Sequence, residues 1–568
     1  MVSSTTEPKW WCWTLILAAL LFAAILLNDA DTIFRSEYYE TGDYAANSLQ
    51  VRRAKRFQEL LGNYSRFGFH HPGPAFFYTY ALGEALFYDA THLVPTPFNA
   101  QLIALRALSA FFFSATVLLI ARRLGGGARG RWFLGLALLL AAWHFGSVGR
   151  FYNFFPGNPG FFCIWPPCVV VLPFLCFLVA AASVTAGAGR DLPLMVLAAC
   201  FLAHGHVVMP LFILPLTLLA YGGLTYWTRI GREVWPWRAF ARHHLVAGAI
   251  LVVFLLPIAI DALTAHPNNI QQILKHVGAS AETRQGLLRS VLYFLHFAAY
   301  TPYPNHNSIP AFENFDWAGT VLFFRTHWRA YGLWVASAGL TLGALRGIRT
   351  EIETRRFVRA IAIVILVATL LSLFWGSIQE GTMFYFNSHF NFAIYYAGLL
   401  ILAIAAALWI DGKLAGARGK RIAMVGPVVL GLAVIAAFVQ ERRRFHSAPA
   451  NQDRQRQFAA SIEKALSIDP AQPKFINFDW TASSEAVGLA LYLERRGCAW
   501  MVREDWPLFF GRDKVVTPGR TDLPVPTASS SFWRVVSHQT ASTIGPEQRA
   551  TVLPLMNDAD LVFQTPAE

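Results

Sequence analysis

Residues 10–27 read WWCWTLILAALLFAAILL, a run without a single charged side chain. Its length is close to the about 20 apolar residues that a helix needs to cross a bilayer. Because the run lacks a small-residue cleavage site, we interpret it as an uncleaved first span rather than a signal peptide. Similar runs recur along most of the 568 residues, of which 55% are hydrophobic and only 14% charged. This composition predicts an integral membrane protein and excludes a soluble enzyme, a disordered chain and a disulfide scaffold.

The apolar runs predict about eleven transmembrane helices. They cover residues 10–27, 102–121, 132–149, 166–187, 192–208, 209–227, 245–262, 331–346, 360–376, 391–410 and 422–439. With a cytoplasmic N-terminus, every inner loop carries at least one Arg or Lys, as the positive-inside rule requires. The odd number of spans then places residues 440–568 outside. The usage of Ala, Leu and Arg favours a bacterial inner membrane, so the C-terminal domain is predicted to be periplasmic.

Three regions between and after the spans are predicted to lie outside the membrane core. Residues 28–101 form a first outer loop, in which the aromatic segment 74–88 is too short to span and is expected to lie in the interface. Residues 263–330 form a second large outer loop. The tail 440–568 is predicted to be a small α/β domain, with helices at 453–467 and 483–496 and strands at 474–478 and 499–502. Residues 1–439 then form one transmembrane module.

The first outer loop carries the residues that are best suited to catalysis. It opens with Asp29, Asp31, Glu37, Glu40 and Asp43, and an amphipathic helix ending near Leu61 follows. The next segment, residues 62–74, is GNYSRFGFHHPGP and is rich in cations and donors. A carboxylate near a bilayer surface can accept a proton from an attacking hydroxyl, and nearby cations can hold a departing phosphate. The loop therefore predicts chemistry on a phosphorylated lipid, although any single acid can simply cap a helix.

The order of these residues resembles that of the GT-C glycosyltransferases, polytopic membrane enzymes that use polyprenyl-phosphate-linked sugars. The likeness is carried by Gly42-Asp43-Tyr44-Ala45, by residues 62–66, by His71-Pro72-Gly73-Pro74 and by Leu105-Arg106-Ala107-Leu108. The last pattern is similar to lipid A aminoarabinose transferases and protein mannosyltransferases. The resemblance implies an all-α polytopic GT-C-like fold with a small C-terminal α/β extracytoplasmic domain. It implies an enzyme that moves a sugar from a polyprenyl-phosphate donor to an acceptor on the outer face.

The resemblance also implies roles for individual residues. Asp43 matches the catalytic base, which deprotonates the acceptor hydroxyl in an inverting displacement. The donor phosphate is then expected to contact Arg66, His70, His71, Arg106 and His389. The paired acids usual in the family are not intact at Gly42-Asp43-Tyr44, so the secondary acidic candidates are Asp29, Asp31 and Glu37.

No cofactor is predicted from the sequence. A divalent metal is compatible with an acidic loop, but no ligand set indicates one: His204 and His206 are two residues apart and do not share a helix face. The six cysteines are too scattered for a disulfide framework or a zinc site. The formal net charge of +13 comes from basic clusters between apolar runs, so no nucleic-acid partner is expected. The expected partners are the lipid-linked donor, a glycan, lipid or protein acceptor, and the bilayer.

Two other functions stay open at this point. A transporter or flippase for a lipid-linked sugar would place acids and broken helices at mid-membrane, often in two related halves. Here the acids cluster in an outer loop and no halves repeat. An oligosaccharide ligase or polymerase would use a diphosphate-linked donor and a large late outer loop rich in Arg and His, and residues 263–330 partly fit that description.

Overall fold

A computed structural model describes most of the chain, with gaps at both termini and between helices. The described residues are 8–65, 67–151, 163–232, 234–278, 284–299, 308–309, 317–326, 328–346, 351–380, 382–413, 450–470, 473–502, 507–511, 514–515, 531–543, 551–555 and 559–563. They divide into two compact units. One, the membrane unit, comprises Met1–Asn28, Leu105–Ala259 and Val277–Phe445. The other, the loop–tail unit, comprises Asp29–Ala104, Ile260–His276 and His446–Glu568.

The helical framework follows the apolar runs of the sequence. The long helices are Pro8–Asn28, Pro97–Arg123, Gly127–Phe151, Val171–Thr185, Leu192–Gly205, Pro210–Arg232, Ala241–Thr264, Trp328–Arg346, Ile352–Ile378 and Asn391–Lys413. The shorter helices among these and before the tail are Pro166–Val169, Pro236–Ala239, Asn269–Gly278, Gly286–Ala299 and Trp317–Thr326. Ten of the eleven predicted spans fall on these helices, and the eleventh, residues 422–439, lies outside the described residues.

Several of these helices meet the physical requirements for crossing a bilayer. By length and composition, six of those that the structure describes are long and apolar enough: Pro97–Arg123, Pro166–Thr185, Pro210–Gly231, Ala241–Thr264, Ile352–Ile378 and Asn391–Lys413. The protein is therefore an all-α multi-pass membrane protein with a C-terminal α/β domain, as the sequence predicts. Large outward-facing side chains such as Leu218 and Leu245, each 75% exposed, are what lipid-facing helix surfaces present.

The second outer loop differs from its predicted form. Within residues 263–330, the helix Gly286–Ala299 is apolar and belongs to the membrane unit. Its Ser290 hydroxyl donates to the Leu373 carbonyl at 2.6 Å, and its Phe294 carbonyl accepts from the Tyr395 hydroxyl at 2.6 Å. The run is shorter than a span, so length alone excluded it from the predicted helices. A two-stranded pairing of β1 (Ser308–Ile309) with β2 (Met383–Phe384) follows in the same unit.

The loop–tail unit begins with short helices. Ala30–Phe34 is followed by Gly42–Lys55, which ends six residues before the predicted end near Leu61. Ala75–Gly83 continues into a π-helical turn, Glu84–Ala90. The face that carries Phe76, Phe77 and Tyr80 is buried, whereas Leu82 and Leu86 are exposed. A short segment that exposes apolar side chains in this way suits the interfacial position that the sequence predicts.

The tail folds around a mixed five-stranded sheet. Its strands are β3 (Lys474–Phe478), β4 (Trp500–Val502), β5 (Ser531–Ser537), β6 (Thr551–Pro554) and β7 (Ala559–Phe563), in the order β4-β3-β5-β7-β6. Strands β4, β3 and β5 are mutually parallel. Strand β7 pairs with β5 in the antiparallel direction, and β6 pairs antiparallel with β7. The helices are Ala450–Ile468, Ser483–Arg495, Pro507–Phe510 and His538–Thr543. The predicted elements at 453–502 are confirmed.

The tail and the first loop share one hydrophobic core. Ala45, Ala46 and Leu49 of the helix Gly42–Lys55 lie in the same buried cluster as the tail residues Phe458, Leu489 and Trp533. Gly488 in the tail helix is packed so closely that a Cβ there would lie 2.8 Å from the Glu40 carbonyl oxygen. The structure thus divides the chain differently from the predicted boundary at residue 440, because the loop helix supplies part of the apolar surface that the tail buries.

Candidate functional site

Asp43 lies in the first turn of the helix Gly42–Lys55, and its carboxylate is oriented by a tyrosine. The Tyr64 hydroxyl donates a hydrogen bond to Asp43 Oδ1. Burial, followed by the charge of Asp43 and this hydrogen bond, raises the pKa of Tyr64, so the phenol keeps its proton and acts as the donor. A carboxylate held in this way can accept a proton from a substrate hydroxyl.

Residues of the tail domain also contact the segments next to Asp43. Gly42 has φ of +54°, and a Cβ at this position would lie 2.9 Å from the Ser484 hydroxyl oxygen. The Phe509 ring packs edge-on against Tyr64, with 4.3 Å between ring centroids. A glycine directly before the candidate base predicts close approach of a substrate to the backbone, but in the structure Ser484 occupies that space. The glycine therefore serves the contact between loop and tail.

The tail residues next to Asp43 come from one edge of the sheet. Ser484 follows the carboxyl end of β3, and Phe509 follows the carboxyl end of β4. These two strands are parallel neighbours, so both residues lie at the same edge. In open α/β sheets this is the edge that carries ligand sites. The predicted base therefore lies in a place where the tail can also contact a substrate.

A β-hairpin carries the histidines of the first loop. Tyr64 and His70 form an antiparallel bridge, Gly62 N–H donates to the His71 carbonyl at 2.9 Å and His71 N–H donates to the Asn63 carbonyl at 2.8 Å. A Cβ on Gly62 would lie 2.7 Å from the His71 carbonyl oxygen, so only glycine permits this pairing. His70 Nδ1 donates to the Gly62 carbonyl at 3.0 Å, which assigns the Nδ1–H tautomer or the doubly protonated ring.

Asn269, from the second outer loop, holds the backbone of this hairpin. Its Oδ1 accepts from His70 N–H at 2.8 Å, and its Nδ2 donates to the His70 carbonyl at 2.8 Å. Asn269 N–H in turn donates to Asp261 Oδ2 at 2.9 Å, so Asp261 caps the helix Asn269–Gly278 as its position near a span end suggests. The Pro267-Asn268-Asn269 segment thus fixes the position of the histidines.

Replacing Asn269 by Ala is expected to loosen the hairpin locally. Two hydrogen bonds to His70 are lost, each worth about 0.5–1.5 kcal/mol, so amide exchange in residues 62–71 should accelerate about tenfold or more. Hydrogen–deuterium exchange of the full-length protein measures this. The matched control is Asn268→Ala, because the Asn268 carboxamide oxygen accepts from Gln271 N–H at 2.9 Å and leaves His70 untouched. Equal exchange in the Asn269 variant and the wild type would contradict the assigned role.

The other predicted site residues are distributed over both units. His71 is buried, and Arg66 lies outside the described residues. Asp31 is exposed and pairs with Arg35 at 3.1 Å, while Asp29 precedes the helix Ala30–Phe34 and Glu37 is partly exposed. Arg106 and His389 are buried in the membrane unit, where His389 Nδ1 lies 3.4 Å from Cys168 Sγ. The structure thus brings together Asp43, Tyr64, His70 and His71 within the loop–tail unit.

A buried polar network near Asp43 was not predicted from the sequence. Glu40 receives two hydrogen bonds from the Arg495 guanidinium, at 2.5 and 2.6 Å, and a third from Ser48 at 2.8 Å. Gln101 donates to Ser48 at 2.9 Å and to Glu84 at 2.8 Å. The Glu84 carboxylate also pairs with Lys55 Nζ at 3.2 Å. The network joins the tail to the helix that carries Asp43 and extends to the interfacial segment.

Metal binding receives no support from the side chains that can be placed. Among the described residues, no group of three or more His, Cys, Asp or Glu side chains could hold a metal ion. His204 Nε2 donates to the Phe254 carbonyl at 2.9 Å, and His206 Nδ1 accepts from Val208 N–H at 3.2 Å. Both rings of this pair therefore bind main-chain groups.

Comparisons with known proteins give similar structures but no sequence family. No protein-family model matches the chain, and no curated protein matches it in sequence. ArnT from Cupriavidus metallidurans bound to undecaprenyl phosphate is 13% identical, with a TM-score of 0.49 and coverage of 98% of each chain. The apo state of that protein is also 13% identical, with a TM-score of 0.40 and 97% of each chain covered. The apo oligosaccharyltransferase of Archaeoglobus fulgidus is 12% identical, with a TM-score of 0.36, over 86% of this chain and 65% of that one. All three structures share low sequence identity with this chain over most of its length.

Proposed function

We propose that this protein is a membrane glycosyltransferase that moves a sugar from a polyprenyl-phosphate donor to an acceptor hydroxyl, with Asp43 as base. In the proposed step the acceptor oxygen bonds to the anomeric carbon while the bond from that carbon to the phosphate oxygen breaks. The hydroxyl proton passes to the Asp43 carboxylate, and the polyprenyl phosphate leaves as an anion. A single displacement of this kind inverts the anomeric centre.

The observation that carries the proposal is the setting of Asp43. Its carboxylate accepts a hydrogen bond from the Tyr64 phenol, and the preceding residue, Gly42, packs against Ser484 at the carboxyl edge of the tail sheet. The helix that it begins is joined through residues 29–41 to the first transmembrane helix. A base held at a defined angle next to an α/β ligand edge suits proton removal from a bulky acceptor whose reaction partner is in the membrane.

The donor phosphate is proposed to bind the cations of the same loop. His70 is held by Asn269 and by the Gly62 carbonyl, so its ring is already ordered before a ligand binds. Such preorganised donors stabilise a leaving phosphate without reorganisation at the moment of reaction. Arg66 and His71 are the other proposed contacts of this loop, and Arg106 and His389 in the membrane unit are separate candidates that rest on the sequence resemblance alone.

A reaction with defined donors tests the proposal against its alternatives. Purified protein in detergent is incubated with a panel of polyprenyl-phosphate sugars and polyprenyl-diphosphate sugars, and the released lipid is identified by mass spectrometry. Release of polyprenyl phosphate with an inverted glycosidic product supports the proposal. Turnover restricted to the diphosphate donors favours a ligase or polymerase. Movement of intact donor across a proteoliposome membrane without bond cleavage favours a flippase.

The orientation in the membrane is proposed from the distribution of basic residues. With Arg122, Arg123, Arg190 and Arg229 on the inner side, the loop–tail unit is on the outer face of a bacterial inner membrane. Arg122 pairs with the buried Asp191 at this predicted inner boundary. The reaction would then use a donor that has already been moved to the periplasmic leaflet.

A further inference from the structure

We propose that the carboxyl edge of the tail sheet is the acceptor subsite and that it binds a sugar ring, so that the acceptor is a carbohydrate-bearing molecule. The inference rests on the proposed function, because it supplies the acceptor for that reaction. It names Trp480 as the stacking platform and the Asp479–Arg534 pair as the polar contact. Four structural features support this subsite.

The first step is the topology of the parallel strands. The chain leaves β3, passes through the helix Ser483–Arg495 and returns as β4 on one side of β3, while β5 pairs with β3 on the other side. The strand order therefore reverses next to β3. Crevices outside the carboxyl ends of strands at such a reversal are where open α/β sheets bind ligands. Residues 479–484 follow the carboxyl end of β3 at this edge, and Asp479 N–H donates to the Val535 carbonyl of β5 at 3.0 Å.

The second step is the exposure of a large aromatic ring at this edge. Trp480 opens the short helical turn Trp480–Ala482 and is 65% exposed. Tryptophan is highly buried on average, and an exposed ring beside polar groups is a common feature of binding surfaces. The face of an indole ring packs well against the C–H face of a pyranose.

The third step is the polar partner of that ring. Arg534 Nη2 donates to Asp479 Oδ1 at 2.9 Å, and the two side chains are 48% and 25% exposed. A partly exposed carboxylate and guanidinium offer both acceptors and donors in one place. Sugar hydroxyls use both kinds of partner, whereas a phosphate or carboxylate ligand would use only the guanidinium, whose charge Asp479 already neutralises. The pair therefore favours a polyhydroxylated ligand over a simple anion.

The fourth step connects the edge to the proposed base. Trp480 lies four residues before Ser484, so the two are about one helical turn apart. Ser484 contacts Gly42, whose neighbour is Asp43. A sugar stacked on Trp480 is thus close to the carboxylate that would deprotonate one of its hydroxyls or a hydroxyl of an adjoining unit.

Direct binding tests the subsite without requiring turnover. Full-length protein in detergent is applied, in the absence of any donor, to a printed panel of neutral and acidic oligosaccharides. The variants are Trp480→Ala, Trp480→Phe and the control Phe532→Ala. Phe532 is a comparable exposed aromatic at the opposite, amino end of β5, where its ring stacks on Phe475 with centroids 5.5 Å apart. Affinity for the best oligosaccharide is then measured in solution.

We expect oligosaccharide binding to be weakened only by the substitution at the carboxyl edge of the sheet. Trp480→Ala should weaken binding by at least roughly tenfold, Trp480→Phe should retain most of it, and Phe532→Ala should leave it unchanged. Failure of the wild type to bind any member of the panel, or equal binding by the wild type and Trp480→Ala, overturns the subsite. Because no donor is present, these results are independent of whether the protein transfers sugar, so the subsite and the proposed function can fail separately.

Discussion

Replacement of Asp43 by Asn is expected to reduce sugar transfer by about 10²–10⁴-fold, which is the typical contribution of a positioned general base. The change is nearly isosteric and removes only the negative charge. The Tyr64 hydroxyl, which donates to Asp43 Oδ1, can still donate to an amide oxygen at the same place. The fold and the affinity for the donor lipid should therefore stay close to those of the wild type, while turnover in the donor-panel reaction is lost.

A purely structural role for Asp43 predicts the opposite result. If its carboxylate only stabilised the first turn of the helix, Asn would serve about equally well. The control is Glu463→Gln, because Glu463 is partly exposed and its pairing with Arg496 is a surface ion pair worth little. Near-normal transfer by the Asp43 variant would place the base elsewhere, and Asp29, Asp31 and Glu37 would be examined next in the same reaction.

The parts of the fold that the sequence predicts well are those with a local signal. Apolar runs about as long as the bilayer core is thick define most of the helices, such as Pro97–Arg123 and Asn391–Lys413. In the tail, the helix at 483–496 and the strands on either side of it follow from short-range pattern. The sequence does not predict the strands β5, β6 and β7, because their segments show little regular pattern. These strands are stabilised by pairing with one another and with β3.

The candidate site is harder to predict because its contacts join distant segments. The order of the loop residues indicates Asp43 as a candidate, but not its partner Tyr64, which is 21 residues further along the same loop. Ser484 and Phe509, by contrast, are more than 400 residues further along the chain, and no periodicity connects them to Gly42. The close approach to Ser484 explains the glycine before Asp43, for which a substrate was the expected neighbour.

Replacement of Arg495 by Met is expected to destabilise the loop–tail unit by about 3–5 kcal/mol, because it leaves the buried Glu40 carboxylate without its ionic partner. Glu40 is only 5% exposed and takes two hydrogen bonds from the guanidinium. In a thermal unfolding scan of the full-length protein, the transition of this unit should fall by roughly 10 °C. Burial is the largest influence on the pKa of Arg495 and lowers it, but the charge and hydrogen bonds of Glu40 outweigh burial and leave the pKa raised, so the guanidinium keeps its proton at neutral pH.

Two further variants separate the ion pair from the packing around it. The double variant Glu40→Gln with Arg495→Met removes both charges, so it should recover much of the lost stability, as buried pairs replaced as a whole often do. The matched control is Arg496→Met, one residue further on, whose pairing with Glu463 at 2.7 Å is between side chains that are 56% and 40% exposed. Loss of such an exposed pair should lower the free energy of unfolding by no more than about 1 kcal/mol. Equal losses at Arg495 and Arg496 would show that the loop and the tail are not joined through Glu40, and the Asp43 helix would then depend on the shared apolar core alone for its position.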